Sequence, residues 1–359
     1  MRHSRTGRVV ALAVTLFLPG CSTPSGAPVT LTSLVTAPTQ TLQRSGTTQR
    51  LQAISPVNDR IAWASGAGGT WVVTTDGGMT WRSGVVAGAD SLEFRDVQGI
   101  SDQIAYLMSS GNGPASRIYH TSDGGRSWAR QFTNADSLAF YDCFAFWGRN
   151  RGIAMSDGVN GVFPALRTTD GRTWTNIGAN LPPAAEGEGA FAASGTCVAT
   201  QGTRLGWIAT GAGPTSRVFA TTDGGDSWTA YATPIVQGGS NAGAFTIAFR
   251  DARHGFLGGG NLAAANGFSD NVATSADGGK SWTLRTRSPF AGAIYGSSYV
   301  PGLRTTVVIT GPAGAAWSAD EGVRWSLIDG AKDYWAVAFA SARAGWLVGT
   351  GGRILKIGF

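Results

Sequence analysis

Short apolar runs alternate with polar, glycine-rich segments along most of the chain. Residues 51–54, 61–65, 70–74 and 81–85 are four such runs in close succession, separated by turn-forming residues. Short runs between Gly, Asn, Asp and Pro clusters are typical of β-strands rather than helices. The pattern predicts an all-β protein built from four-stranded units.

A short motif recurs six times between these runs. Each copy has Thr or Ser, then Asp two residues later, then Gly, then Trp, and its third copy is one residue shorter between Asp170 and Trp174. The aspartates are Asp76, Asp123, Asp170, Asp223, Asp277 and Asp320. A recurrence of roughly 40–50 residues is typical of propellers and solenoids.

The motif predicts a tight hairpin in each repeat. Asp accepts hydrogen bonds from backbone amides of its own turn, and Gly adopts a positive φ at little cost. One Asp per repeat cannot converge with the others on a single site, so we interpret all six as structural rather than as metal ligands or acid–base groups. The motif resembles the Asp-box of sialidases and related BNR-repeat propellers.

The C-terminal region predicts a seventh repeat without the motif. Runs at 334–339, 345–348 and 353–357 give three strands, and the chain then ends. The missing outer strand can come from residues 39–44, which would remove the open sheet edges by pairing the two ends. We therefore predict a seven-bladed β-propeller, with strands a to d running outward from a central channel.

Composition agrees with this prediction. The 359 residues include 53 Gly and 13 Trp, and only 14% are charged. These values exclude a coiled coil, a helical bundle and a charge-driven disordered chain.

The closing segment adds a family resemblance. Phe339, Gly345-Trp346 and the Gly-Gly-Arg-Ile of 351–354, with Asp-box copies in other blades, resemble the photosystem II stability/assembly factor family and its bacterial relatives. The resemblance spans residues 40–359. It implies a WD40/YVTN-like propeller without enzyme activity that binds a protein during assembly of a membrane complex, in photosynthesis for the named family.

Arginines recur in the turns between strands a and b, which ring one mouth of the channel in a propeller. Blade two carries Asp102 there instead. A ring of arginine would focus positive potential on that face, and the resembled family uses an arginine-rich patch for its partner. We predict partner binding by an acidic segment there, whereas the alternative is that exposed turns carry arginine incidentally. The predicted ring is Arg60, Arg149, Arg151, Arg204, Arg250, Arg253, Arg304 and Arg343.

The N-terminus predicts export and lipid anchoring. A basic start to Arg8 precedes a short apolar stretch that ends in Leu18-Pro19-Gly20-Cys21, which resembles a bacterial lipobox. We predict a signal peptide at 1–20, lipidation at Cys21, a flexible tether at 21–38 and the propeller at 39–359. The expected location is the cell envelope, and the alternative is an ordinary secretory signal.

Two further cysteines occupy equivalent positions in neighbouring repeats. Cys143 and Cys197 each lie nine residues before a Gly that opens the next strand. An exported protein permits a disulfide between them. Two buried free thiols are the alternative.

The sequence offers little for catalysis. A sialidase-like or other BNR-repeat glycoside hydrolase is the alternative function, but Glu occurs only at 93, 186, 188 and 321, and Glu93 alone is expected near the channel. No zinc-protease motif, nucleophile elbow or dinucleotide fingerprint is present. We expect no cofactor or metal, no nucleic acid, a monomer, and an envelope or membrane protein as partner.

Overall fold

The computed structural model describes Met1, His3 and residues 36–359. The predicted signal peptide, Cys21 and the tether up to residue 35 lie outside the described part of the chain. Within the described residues, no helix has the length and apolarity that crossing a membrane requires.

Twenty-eight strands and four short 3-10 segments build the fold. The 3-10 segments are Gly113–Ala115, Gly178–Asn180, Leu262–Ala264 and Thr350–Gly352. The strands are β1 (Thr39–Arg44), β2 (Leu51–Pro56), β3 (Ala62–Gly66), β4 (Thr70–Thr74), β5 (Arg82–Val85), β6 (Phe94–Gly99), β7 (Ala105–Ser109), β8 (Arg117–Thr121), β9 (Ala129–Thr133), β10 (Tyr141–Phe146), β11 (Gly152–Ser156), β12 (Ala165–Thr168), β13 (Thr175–Asn176), β14 (Val198–Gln201), β15 (Leu205–Ala209), β16 (Arg217–Thr221), β17 (Thr229–Ala232), β18 (Ala242–Phe249), β19 (Gly255–Asn261), β20 (Val272–Ser275), β21 (Thr283–Leu284), β22 (Gly296–Tyr299), β23 (Val307–Gly311), β24 (Gly314–Ser318), β25 (Ser326–Leu327), β26 (Tyr334–Ser341), β27 (Ala344–Gly349) and β28 (Arg353–Gly358).

The strands form seven antiparallel four-stranded sheets in a ring, which confirms the predicted seven-bladed propeller. Blades 1 to 6 each use four consecutive strands, beginning with β2–β5 and ending with β22–β25. Blade 7 has the order β26-β27-β28-β1, so the first strand of the chain is its outer strand.

The predicted closure of the ring by the two ends of the propeller is confirmed. β1 pairs antiparallel with β28, so that Thr39 lies opposite Gly358 and Leu42 opposite Leu355. Gln43 strengthens the junction, because its Oε1 accepts hydrogen bonds from the indole N–H groups of Trp81 at 3.0 Å and Trp346 at 3.1 Å. One side chain thereby links blades 1 and 7.

The apolar core lies between neighbouring blades. Trp63 and Trp71 of blade 1 pack with Phe94, Leu107 and Tyr119 of blade 2, and equivalent clusters join other adjacent pairs. Each blade thus buries both faces of its sheet, which explains why its inner strands are apolar on both sides.

Candidate functional site

The six Asp-boxes form the turns between strands c and d. In every box, a carboxylate oxygen of Asp accepts a hydrogen bond from the Thr or Ser hydroxyl two residues earlier and from a backbone N–H later in the turn. The same hydroxyl accepts the N–H of a box glycine, as Thr74 does from Gly78 at 2.8 Å. Thr or Ser stands at this position in all six copies, but the motif alone did not reveal the role of its hydroxyl.

The boxes and the a–b turns lie on one face of the ring, here named the Asp-box face. In blades 1, 2, 4 and 5, the first box glycine donates its N–H to a carbonyl of the a–b turn in the same blade. Gly77 bonds Arg60, Gly224 bonds Arg204 and Gly278 bonds Arg253, each at 2.8 Å. The boxes therefore fix the backbone of the turns that carry the predicted arginine ring.

Six of the eight predicted arginines have exposed side chains on this face: Arg60, Arg149, Arg204, Arg253, Arg304 and Arg343. Among these, Arg253 donates to the Ala276 carbonyl at 3.2 Å. Arg343 lies 3.8 Å from the Asp59 carboxylate.

The other two predicted arginines are engaged within the fold. Arg151 donates to the carbonyls of Thr203 and Gly224 in the next blade. Arg250 is half-buried and pairs with Glu321 at 2.7 Å and Asp251 at 2.6 Å. Both side chains therefore join parts of the propeller.

A cavity of about 580 Å³ opens at the channel mouth on the Asp-box face. Its walls come from the last residues of inner strands in blades 2 to 6 and from the a–b turns of blades 5 and 6. Arg250 and Arg304 of the predicted ring lie at its rim, and Ile247, Phe249 and Leu303 supply apolar surface. Positive charge beside a recess of mixed polar and apolar surface suits an acidic segment with apolar neighbours.

The opposite end of the channel is plugged by residues 190–196, the end of the connection between blades 3 and 4. Ser194 donates to the carbonyl of Tyr295 in blade 6 at 2.6 Å, and Thr196 donates to Thr246 in blade 5 at 2.8 Å. Gly195 has φ +74°, and a Cβ there would lie 2.4 Å from Asp96 in blade 2. This segment, here named the plug, therefore contacts blades on both sides of the axis.

Buried acidic groups hold the plug. Ala190 donates its N–H to the Asp157 carboxylate at 3.0 Å, and Glu188 accepts from Arg217 Nε at 2.8 Å and from Thr210 at 2.7 Å. Burial raises the pKa of Asp157 to about 6. Burial, and then the neighbouring Asp157, raise the pKa of Asp142 well above its usual range. Neither aspartate belongs to a sequence motif, so neither was predicted to be a site residue.

The structure joins Cys143 and Cys197 in a disulfide, with Cα atoms 5.9 Å apart. Cys143 lies in the inner strand of blade 3, and Cys197 directly follows the plug. The bond fixes the end of the plug against the channel wall.

Arginines and aromatic residues surround the plugged mouth. Glu93 lies between Arg50 at 2.9 Å and Arg95 at 2.6 Å, and Arg50 lies over the Trp335 ring at 4.7 Å. Bulges at the starts of five inner strands break the ladder there. Such bulges redirect side chains, and sequence alternation alone does not reveal them.

Glu93 was the acidic residue expected near the channel. Its charge is balanced by the guanidinium groups of Arg50 and Arg95.

The carboxylates do not form a glycosidase pair at the cavity. Among the residues that line the cavity, Asp251 alone is acidic. Glycoside hydrolysis requires a pair of carboxylates. Tyr299 donates to Glu321 at 3.0 Å, but Glu321 also pairs with Arg250. Burial, followed by the charge of Glu321, raises the pKa of Tyr299, which disfavours a phenolate nucleophile. No described residues form a group of three or more His, Cys, Asp or Glu suited to a metal.

Comparison with known proteins shows the fold. No protein-family profile matches the chain, and no curated protein does. Two similar solved structures are YCF48 from Cyanidioschyzon merolae, with a TM-score of 0.60, and YCF48 bound to D1 peptide, with 0.59; each is 16% identical. They cover 90% and 89% of this chain and 99% and 97% of their own chains, respectively.

A glycoside hydrolase shares the fold as well. The GH74 xyloglucanase from Xanthomonas campestris gives a TM-score of 0.60 at 15% identity, covering 88% of this chain and 53% of its own. Both kinds of neighbour have propellers, so the fold itself does not separate binding from hydrolysis.

Proposed function

We propose that this propeller binds a protein partner and that the partner contributes an acidic segment to the channel mouth on the Asp-box face. The observation that carries the proposal is the cavity of about 580 Å³, whose lining combines polar groups with apolar side chains and includes Arg304. Exposed arginines in the turns of other blades extend the positive charge around this mouth.

The fold of the neighbours supports a peptide as ligand. One similar propeller is described as YCF48 bound to D1 peptide, which shows that this architecture accommodates a peptide. We further propose a non-catalytic role in assembly or scaffolding of a membrane complex, as the family resemblance implies. We also propose that this role is carried out at the envelope by a lipid-anchored protein, because the N-terminal sequence resembles a lipoprotein signal.

Electrostatic attraction makes the interaction dependent on ionic strength. Charges at the rim of an interface mainly accelerate association and are screened by salt. Partner capture should therefore weaken as salt rises, and it should weaken on neutralisation of the ring.

Photo-cross-linking tests the proposed face. A photo-reactive amino acid replaces Leu303, which lines the cavity, in the full-length protein in its native envelope. The matched control replaces Leu262, which is 40% exposed on a b–c connection at the opposite face. We expect adducts at position 303 whose peptide is acidic by mass spectrometry, and few at position 262.

Charge neutralisation supplies the second arm. Joint replacement of Arg204, Arg304 and Arg343 by alanine should reduce the adduct yield at position 303 at least about tenfold, as expected for lost charged contacts. Replacement of Arg44, Arg130 and Arg287, which are exposed on or beside outer strands, removes the same charge elsewhere. The proposal would be contradicted if the two triple variants reduced the adduct yield equally, or if the cross-linked peptide were not acidic.

A further inference from the structure

A second cavity, of about 630 Å³, lies on the Asp-box face between blades 2 and 3. It shares no lining residue with the axial cavity. Its position coincides with the shortened third Asp-box, where Arg172 directly follows the single glycine, Gly171.

The shortened box lacks a packing contact that two other boxes make. In those two boxes a second glycine packs on a Trp of the preceding blade: Gly125 on Trp71 and Gly279 on Trp207, where a Cβ would lie within 3.0 Å of the ring. In blade 3, the Tyr106 hydroxyl instead donates to the carbonyl of Gly171 at 3.1 Å. Tyr106 and Gly171 both line the cavity.

Two arginines supply positive charge to the cavity. The side chains of Arg149 and Arg172 are exposed, and neither makes a hydrogen bond or ion pair with any described residue. The carboxylate in the lining, Asp170, accepts bonds from Thr168 and from the N–H groups of Arg172 and Thr173. These bonds lower the pKa of Asp170 to about 2, so it remains ionised and the two guanidinium groups leave a net positive charge.

A histidine completes the wall. The His120 ring packs on Tyr106 with ring centroids 4.7 Å apart, and its nitrogens have no hydrogen-bond partner among residues 36–359. Burial, and then the charge of Arg172, lower the pKa of His120, so the imidazole is neutral at pH 7. Ser122 and Asn150 add further polar groups to the lining.

We propose that this cavity is an oxyanion site in which Arg149 and Arg172 bind a phosphate or carboxylate group beside His120. Guanidinium groups bind both anions through paired N–H donors. The anion offsets the repulsion between His120 and Arg172, so its binding favours the protonated imidazole. Besides these groups, the charged and titratable neighbours of His120 are Tyr106, Arg149 and Asp170.

Proton NMR tests the site directly, because the chain has only three histidines. His254 is the internal control, since its ring lies 2.9 Å from the Asp251 carboxylate and outside this cavity. The probes are sulfate, a tetrahedral oxyanion of constant charge between pH 5 and 8, and N-acetylglutamate amide, which presents a side-chain carboxylate. Ionic strength is held constant with chloride.

We expect saturable shifts of the His120 resonances and a rise in the pKa of His120, with no change at His254. Tighter binding of sulfate would identify a phosphate-type ligand, and tighter binding of the carboxylate an acidic side chain. Both results support the site. Shifts that do not saturate, or that are equal at His254, would overturn it.

Arginine variants test which side chains bind the anion. Arg172→Gln and Arg149→Gln should each weaken binding about tenfold, whereas Arg44→Gln, on the outer strand of blade 7, should leave it unchanged. Unaltered binding in both Arg149→Gln and Arg172→Gln would contradict the proposal. All these positions are exposed, and an unchanged Tm checks that the variants fold. Arg172 is not part of the predicted arginine ring, so the Arg172→Gln result distinguishes this site from partner binding at the axial cavity, with which it shares no lining residue.

Discussion

At the scale of single residues, the Asp-box carboxylates act as local hydrogen-bond acceptors. Asp76 accepts the Thr80 hydroxyl at 2.6 Å and the Thr80 N–H at 2.9 Å, as the motif predicted for backbone amides. Bonds from the Thr80 side chain and backbone are the main causes that lower the pKa of Asp76 to about 2. A lowered pKa means that the contribution to stability is present above pH 4 and lost as pH falls through about 2.

Asp76→Ala should therefore lower the Tm by a few degrees at pH 7, because the turn loses its acceptor. The difference from wild type should shrink as pH approaches 2, where the wild-type carboxylate becomes protonated. Asp76→Asn retains one acceptor oxygen and should have a smaller effect. Differential scanning calorimetry across this pH range provides the measurement, and a pH-independent difference would be inconsistent with the carboxylate's role.

Asp157 shows the opposite behaviour, because burial raises its pKa to about 6. The folded protein therefore binds an extra proton between about pH 4 and 6, and ionisation at higher pH costs stability. Asp157→Asn keeps an acceptor for the Ala190 N–H and removes this cost. We expect the variant to be more stable than wild type at pH 8 by about 2 kcal/mol.

The Asp157→Asn measurement is urea unfolding at pH 5 and pH 8. The gain from the substitution should be larger at pH 8 than at pH 5. A variant that loses the same stability at both values would show that the carboxylate is not destabilised by burial.

At the scale of elements, the outer strand of blade 7 was predictable from the sequence, but the plug was not. The run at 39–44 has strand character, and a three-stranded last repeat requires a partner for its open edge. Residues 190–196 have no such periodicity. Their path depends on contacts with Asp96, Thr246 and Tyr295, which are distant in the chain.

Replacement of Gln43 tests how strongly the closing strand β1 stabilises the fold. Gln43→Ala removes the acceptor for two indole N–H groups and should lower the free energy of unfolding by about 2 kcal/mol. Thr41→Ala is the matched control, because Thr41 lies on the same strand with an exposed side chain. Urea titrations of both variants give the comparison, and equal losses would argue against a bridging role for Gln43.

The disulfide tests the attachment of the plug. Cys143→Ala should cost about 3 kcal/mol of unfolding free energy, and the double variant with Cys197→Ala should cost about the same. Amide exchange in residues 190–196 should accelerate in either protein. Additive losses from the two substitutions, or unchanged exchange in the plug, would contradict a bond that fixes this segment.

At the scale of the whole molecule, the repeat period determined the ring and placed the a–b turns on one face. The spacing of the repeats therefore predicted that arginines of distant blades, including Arg60 and Arg304, lie on the same face. It did not predict the cavities. The axial cavity depends on how Leu303 packs at the channel mouth, and the shortened third box, although visible in the sequence, does not by itself show which side chains line the space beside Gly171. The spacing also did not show that Arg151 and Arg250 are engaged in contacts between blades.

The two faces of the propeller differ in a way that bears on function. One mouth is filled by the plug, whereas the other holds the axial cavity and exposed positive charge. Both proposed sites lie on this second face. A partner that docks there would contact a ring of blades that is closed by the pairing of β1 with β28.

Hydrogen–deuterium exchange of the full-length protein measures that pairing directly. β1 and β28 lie opposite each other along six residue pairs, from Thr39–Gly358 to Arg44–Arg353. Peptides from 39–44 and 353–358 should therefore both contain protected amides, at alternate positions in the outer strand β1, and this protection should be lost together as urea rises. Rapid, unprotected exchange at 39–44 beside a protected 353–358 would contradict the closed ring.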